Sequence, residues 1–170
     1  MRNVYFMISL CMLTAQVQAS AVINEQIPDA KMAASGRLTV FLFDVYDASV
    51  YTSNGVRRVK PPFALKLDYL RDIKGEKIAD QSAEEIRRQA RVDEGLLADW
   101  HSQMRHIFPN VRKGDNITGI YKDLSECTFY KNSAYIGHIT DHQFCDAFFD
   151  IWFGKKTTQP ALRNQLIGNQ

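Results

Sequence analysis

The pattern of residues 140–154 predicts a helix that is apolar on almost every side. Thr140-Asp141-His142-Gln143 has the composition of a capping box, which marks a helix start, and Gly154 marks the end. The apolar residues between them are Phe144, Ala147, Phe148, Phe149, Ile151, Trp152 and Phe153. Because such a helix has to be covered by other elements, this segment must be buried nearly all round.

The rest of the chain alternates between strand and helix patterns. Segments with strand-like composition are residues 37–43, 45–51, 64–69, 116–121, 127–130 and 134–138, and turn residues follow at 52–55 and 132–133. A capping box at Ser82-Ala83-Glu84-Glu85 predicts a second helix, an apolar stripe over 96–108 a third, and Pro160 opens a short last one. Residues 22–36 are interpreted as an extended lead-in. Strands, helices, strands and helices in this order predict an α+β fold with a largely antiparallel sheet.

Size and charge limit the classes of protein. The 170 residues suit one globular domain, and 21 basic against 19 acidic residues leave a net charge of +2. Nucleic-acid binding is not expected, because it requires a clear basic excess. No Gly-rich phosphate loop, Cys-x-x-Cys or Gly-x-Ser-x-Gly motif occurs, so no cofactor is predicted.

The first residues have the pattern of a secretory signal peptide. A positive charge at Arg2 precedes an apolar run over residues 4–15 that is too short to span a bilayer, and small residues follow. Cleavage after Ala19 or after Ala21 fits equally. We therefore expect a signal peptide over residues 1–19, a single domain over 20–170, a periplasmic location and no stable membrane insertion.

Export changes the meaning of the cysteines. Only Cys127 and Cys145 remain in the exported chain, and an oxidising compartment allows them to form a disulfide. Two small buried apolar side chains are the other interpretation. The sequence leaves both open.

Several motifs together resemble the bacterial, exported branch of the chalcone isomerase-like family. They are Gly36-Arg37-Leu38, residues 43–51, Ile107-Phe108-Pro109-Asn110-Val111 with Lys113-Gly114-Asp115, Phe129-Tyr130, Ile136-Gly137, residues 144–154 and Pro160-Ala161-Leu162-Arg163. The resemblance covers residues 33–168. It implies an open-faced sandwich, a large antiparallel sheet with helices on one face and a ligand cleft between them.

The resemblance implies less about activity, because most catalytic positions differ. Ser82 stands where the plant enzymes have a tyrosine, Glu85 where they have a lysine, Gln89 where they have an asparagine, and Cys145 where they have a serine or threonine. Arg37 lies near the family's first-strand arginine and Tyr46 near its strand threonine. Fatty-acid-binding members use an arginine and a tyrosine to hold a carboxylate, so Arg37 with Tyr46 is the expected anchor here.

The candidate ligand-binding residues are therefore Arg37, Tyr46, Ser82, Gln89 and Cys145, each with a plainer alternative. Arg37 also fits a solvent-exposed strand end, Ser82 a helix cap, and Cys145 a core or disulfide position. His138 and His142 straddle a strand–helix junction instead of sharing a helix face, so no metal site is predicted.

Three functions are compatible with this sequence. The first is non-catalytic binding of a small apolar or carboxylate-bearing, fatty-acid-like ligand in the cleft. The second is a lyase or isomerase that uses Arg37 and Tyr46 as electrophilic groups on an unknown substrate. The third is a structural or partner-binding envelope protein, which predicts a large exposed apolar patch. The oligomeric state is not predicted.

Overall fold

The computed structural model describes residues 21–56 and 59–168. The predicted signal peptide, residues 1–19, lies outside these residues. Within the described residues the chain forms a six-stranded sheet in which each strand pairs antiparallel with the next one in sequence. The strands are β1 (Ala30–Val40), β2 (Phe43–Ser53), β3 (Phe63–Tyr69), β4 (Asn116–Tyr121), β5 (Cys127–Lys131) and β6 (Ala134–Ile139). The predicted α+β class is confirmed.

Four helices pack on one face of this sheet. They are α1 (Gly75–Gln89), α2 (Glu94–Ile107), α3 (His142–Phe153) and α4 (Pro160–Ile167). A Cβ added at Gly119 would lie 3.1 Å from Cζ of Phe149 on α3, and one at Gly137 would lie 2.8 Å from Cγ1 of Ile107 on α2. The absence of a side chain at these two positions therefore lets the helices approach the strands closely.

Helix α3 lies at the centre of the main core, as its composition predicts. Phe144, Phe148 and Phe149 are all at most 5% exposed. Asp141 caps the helix by accepting hydrogen bonds from the backbone N–H groups of residues 143 and 144. Its other carboxylate oxygen accepts a 3.0 Å bond from Nε1 of Trp100 on α2. The cap is thus Asp141 and not Thr140, because the carboxylate serves both the helix end and the indole.

The first hairpin differs from the sequence prediction. Residues 37–43 do not form one strand, because the chain reverses at Phe41 and Leu42, where φ is 47° and 70°. These two side chains are 91% and 97% exposed. Left-handed backbone is the conformation of a tight hairpin turn, but it normally marks Asn or Gly in a sequence. Because apolar residues occupy the two turn positions, the sequence pattern did not indicate this turn.

Helix α1 also begins earlier than predicted. It starts at Gly75, seven residues before the expected cap, and its own N-cap Lys74 makes no side-chain capping bond. Ser82 lies inside the helix, where its hydroxyl donates a 2.8 Å hydrogen bond to the carbonyl of Ile78. Because its hydroxyl bonds backward along the helix, Ser82 is not a cap.

The predicted extended lead-in is partly wrong. Residues 21–26 are helical, and β1 begins at Ala30. Ile23 and Ile27 form a small second core with Ala64 and Ile120. Since neighbouring strand residues face opposite sides, Ala64 places this core on the face away from Leu65 and the main helices. No helix among the described residues has both the length and the apolar character needed to cross a membrane.

Candidate functional site

A cavity of about 370 Å³ lies between the sheet and helices α1, α3 and α4. Strands β1 to β4 form its floor, and residues of the segment between α3 and α4 close one side. The apolar lining consists of Leu38, Val40, Val45, Leu67, Tyr69, Ile73, Ile78, Phe108, Ile117, Phe148, Ile151, Trp152 and Leu162. The cavity lies between sheet and helices, where the family resemblance implied a cleft, and its role in ligand binding stays a prediction.

A bulge in β2 shapes the floor. The pairing of β1 and β2 shifts between Leu38, which pairs with Tyr46, and Thr39, which pairs with Asp44. Val45 is thereby left as an extra residue on β2. Both Val45 and Tyr46 line the cavity, although neighbours in a regular strand face opposite sides.

The polar part of the lining comes mainly from one face of α1. Ile78, Gln81, Ser82 and Glu85 have the spacing of a single helical face, and all four line the cavity. Glu85 is only 6% exposed. Its Oε1 accepts hydrogen bonds from Nε2 of Gln81 at 3.1 Å and from Oγ1 of Thr158 at 3.0 Å. Its buried Oε2 has no hydrogen-bond partner among the described residues.

Tyr46 lines the same cavity from the sheet. Its hydroxyl oxygen accepts a 2.9 Å hydrogen bond from Nε1 of Trp152 on α3. Burial raises the pKa of Tyr46 well above its ordinary value, and the nearby charge of Glu85 raises this pKa further. Burial likewise raises the pKa of Tyr69. Both phenols are therefore neutral at ordinary pH, and the O–H of Tyr46 can donate to a bound molecule.

Arg37 does not line the cavity, so the structure does not bring it together with Tyr46 as the expected carboxylate anchor requires. Its side chain is 50% exposed, and its guanidinium contacts Asp47 at 2.6 Å and Asp44 at 2.9 Å. Arg37 pairs with Asp47 across the hairpin, whereas its neighbour Leu38 faces the cavity. Alternation along the strand thus turns Arg37 away from the cavity. The electrophilic pair of the lyase or isomerase alternative is separated for the same reason.

The other predicted residues divide into two groups. Tyr46 and Ser82 line the cavity. Gln89 and Cys145 do not line the cavity. Gln89 lies one turn beyond Glu85 on α1, and its buried amide atoms have no hydrogen-bond partner among the described residues. Cys145 forms a disulfide with Cys127, which ties α3 to β5.

Two groups of polar lining residues were not predicted from the sequence, and only the first of them has a recognisable pattern. Gln81 and Glu85 lie at helical spacing from Ile78, so an earlier start of α1 would have placed them on the face of Ser82. Thr158 and Gln159 belong to the irregular segment before α4, and nothing in the local pattern indicates their position. No group of three or more potential metal ligands occurs in the part of the chain that the structure describes.

Comparisons with known proteins point in one direction. A sequence model described as chalcone isomerase-like matches residues 12–168. The crystal structure of a fatty-acid binding protein from Arabidopsis thaliana is similar in fold, with a TM-score of 0.63 and 12% sequence identity over 84% of this chain and 88% of that one. No curated protein matches the sequence.

Proposed function

Because this chain belongs to the chalcone isomerase-like family, we propose that it binds a small apolar or amphipathic ligand with a fatty-acid-like chain and does not convert it. The observation that carries the proposal is the apolar cavity of about 370 Å³. Small-molecule sites commonly have volumes of roughly 300–1,000 Å³ with mostly apolar walls and few polar groups. The Arabidopsis neighbour is described as a fatty-acid binding protein, which supports the same kind of ligand.

The polar groups of the cavity support binding without catalysis. The ring closure of the plant enzymes needs groups that stabilise a developing negative charge. Here Glu85 brings a carboxylate to the cavity where the resemblance to the plant enzymes implies a lysine, and Arg37 contacts two aspartates outside the cavity. A buried carboxylate opposes the development of negative charge close to it.

Native mass spectrometry of the protein purified from its own compartment tests this proposal, followed by denaturing extraction of any bound molecule. We expect a small amphiphile to be retained. Leu38 lines the cavity and is half-buried, so Leu38→Trp fills part of the space and should abolish retention. Leu124 is 70% exposed and serves as the matched control, because Leu124→Trp adds the same side chain away from the cavity.

An empty wild-type protein would contradict the proposal, as would a ligand that survives in Leu38→Trp. Turnover of the extracted molecule on incubation with fresh protein would show that the role is catalytic.

We further propose that the protein is an exported, periplasmic member of the family's bacterial branch. The disulfide between Cys127 and Cys145 supports an oxidising compartment. The intact mass of the purified protein tests this, because cleavage removes residues 1–19 or 1–21. A mass equal to that of the full 170-residue chain would contradict it.

Partner binding is a second candidate function, and the tip of the first hairpin favours it. Phe41 and Leu42 are 91% and 97% exposed, and Phe43 beside them is 64% exposed. Val40, next to this apolar tip, lines the cavity. A photo-crosslinking residue at position 42 should give a defined adduct in the native compartment, and one at position 124 should not. Equal or absent adducts at both positions would argue against a docking role.

A further inference from the structure

The negative charge inside the cavity belongs to the carboxylate of Glu85, and one of its two oxygens has no hydrogen-bond partner among the described residues. Oε1 of Glu85 already accepts bonds from Gln81 and Thr158, whereas the buried Oε2 has no partner within the described residues. A buried carboxylate oxygen without a donor costs free energy, so a bound molecule that supplies a donor is favoured.

No cation of the described chain offsets this charge from within the cavity. Lys77 lines the mouth, but its side chain is 69% exposed and its ammonium lies 3.6 Å from the carboxylate of Asp80. Arg37 lies outside and contacts Asp44 and Asp47. A ligand carboxylate placed near Glu85 would therefore meet a like charge in a cavity whose lining is mostly apolar.

Tyr46 complements Glu85 in the opposite sense. Its oxygen accepts from Nε1 of Trp152, and no described residue is seen to accept from its O–H, so this O–H can donate to a molecule in the cavity. A headgroup that both donates and accepts, such as a hydroxyl or a primary amide, can therefore donate to Glu85 and accept from Tyr46. An ammonium group can donate a hydrogen bond to Glu85, but it cannot accept one from Tyr46.

We infer that the ligand has a neutral or cationic headgroup that donates a hydrogen bond to Glu85, and that fatty-acid carboxylates are disfavoured at this end of the cavity. This inference rests on the proposed ligand-binding function and narrows its ligand class. It also replaces the carboxylate-bearing ligand that the resemblance implied, because the arginine needed for that ligand faces away from the site.

The test compares three probes with one chain length: 1-decanol, decylamine and decanoate. Each is titrated at neutral pH, below its micelle concentration, into the mature protein after removal of resident ligand. Binding is followed by calorimetry and by tryptophan fluorescence, to which Trp152 in the cavity lining contributes. We expect decanol and decylamine to bind at least about tenfold more tightly than decanoate, as expected when a buried charge gains or lacks one hydrogen-bonded partner.

Glu85→Gln identifies the residue responsible. The amide oxygen can still accept from Gln81 and Thr158, but the negative charge is removed. We expect decylamine to lose about tenfold in affinity and decanoate to approach decanol. Glu84→Gln is the matched control, because Glu84 neighbours Glu85 on α1 but contacts Arg87 and Arg88 outside the cavity.

The outcomes separate this inference from the proposed function. Decanoate binding as tightly as decanol, or more tightly, would overturn the inference and leave the ligand-binding function standing. If decanoate then loses its tighter binding in Lys77→Gln, its carboxylate lies near Lys77 at the mouth of the cavity. If none of the three probes binds, the proposed function fails and the inference fails with it. If Glu85→Gln does not fold, the ranking of the probes in the wild-type protein still decides.

Discussion

Nε1 of Trp152 donates a 2.9 Å hydrogen bond to the hydroxyl of Tyr46, and the two residues are 106 positions apart in the sequence. The bond joins helix α3 to strand β2 across one wall of the cavity, where both side chains are lining residues. Trp152 is only 7% exposed, and the Tyr46 hydroxyl is the acceptor of its indole N–H. The site is therefore built around a long-range contact that also stabilises the fold.

Replacing Tyr46 by Phe should destabilise the protein, because the buried indole N–H of Trp152 loses its acceptor. We expect Tyr46→Phe to lower the free energy of unfolding by about 1–2 kcal/mol in urea denaturation. Tyr69→Phe is the control. Its ring also lines the cavity and lies 5.9 Å from that of Tyr46, but no hydrogen bond of its hydroxyl is seen among the described residues. Equal losses in both variants would show that the indole bond contributes nothing specific.

Alkaline pH should reveal the buried phenols. Burial raises the pKa of both Tyr46 and Tyr69 in the folded protein above the value of about 10 expected in the unfolded chain. Above this pH the unfolded chain binds fewer protons than the folded one, so stability falls as pH rises, by up to about 1.4 kcal/mol per pH unit for each phenol. Below about pH 10 these groups contribute no pH dependence.

The measurement is the urea midpoint as a function of pH. The double variant Tyr46→Phe/Tyr69→Phe should make the alkaline decline less steep, whereas Tyr135→Phe, at a position that is 56% exposed, should leave it unchanged. A decline remains in the double variant because the pKa values of Tyr51, Tyr121 and Tyr130 are raised as well. An identical decline in the wild-type protein and the double variant would refute the assignment.

Removing the disulfide should lower stability without changing the fold. Cys127 and Cys145 are separated by 18 residues, and both are fully buried. Closing a loop of this size restricts the unfolded chain, so the Cys127→Ala/Cys145→Ala variant should lose roughly 3 kcal/mol. Denaturant unfolding with and without reductant measures the effect. Reductant should weaken the wild-type protein and have no effect on the double variant; a wild-type protein that is indifferent to reductant would show that the bond is not formed.

Substitutions in the turn at Phe41 and Leu42 should raise the stability of the protein. Both residues hold positive φ angles, of 47° and 70°, in a conformation that is unfavourable for bulky residues. Asn-Gly is preferred in such turns, so Phe41→Asn with Leu42→Gly should raise the free energy of unfolding by about 1–2 kcal/mol. Leu124→Ser removes an exposed leucine from a residue without positive φ and should change stability by less than about 0.5 kcal/mol. A gain of the same size in Leu124→Ser would attribute the effect to lost apolar exposure instead of the backbone.

Removing the buried amide of Gln89 should stabilise the protein. Its side-chain amide is buried with neither atom hydrogen-bonded to any described residue, so Gln89→Met should raise the free energy of unfolding by about 1–2 kcal/mol. Gln81→Met should have the opposite sign, because Nε2 of Gln81 donates to Glu85. Thermal or urea denaturation distinguishes the two, and a loss of stability in Gln89→Met would mean that its amide has a partner in solution.

The sequence by itself determined the features that depend on local periodicity. The apolar composition of α3 and the turn at Asn132-Ser133 each follow from neighbouring residues, and the structure confirms both. Together with the family motifs they were sufficient to predict an antiparallel sheet with helices on one face. The alternation along residues 64–69 predicts a strand with one solvated face, and this prediction is wrong, because Ala64 and Lys66 on that face are buried as well. Tyr46 and Ser82 were predicted as cavity residues on the same motifs, and both line the cavity.

Only the tertiary structure decided which side chains meet in the cavity. Arg37 and Leu38 are adjacent in sequence, but the strand turns one outward and the other inward, and a bulge at Val45 resets the register beside them. Glu85 lies on the face of α1 that lines the cavity, and this helix starts at Gly75, where no capping signal occurs. Thr158 reaches Glu85 across 73 residues, and Trp152 reaches Tyr46 across 106. Such contacts depend on how separate elements pack, and no local pattern carries that information.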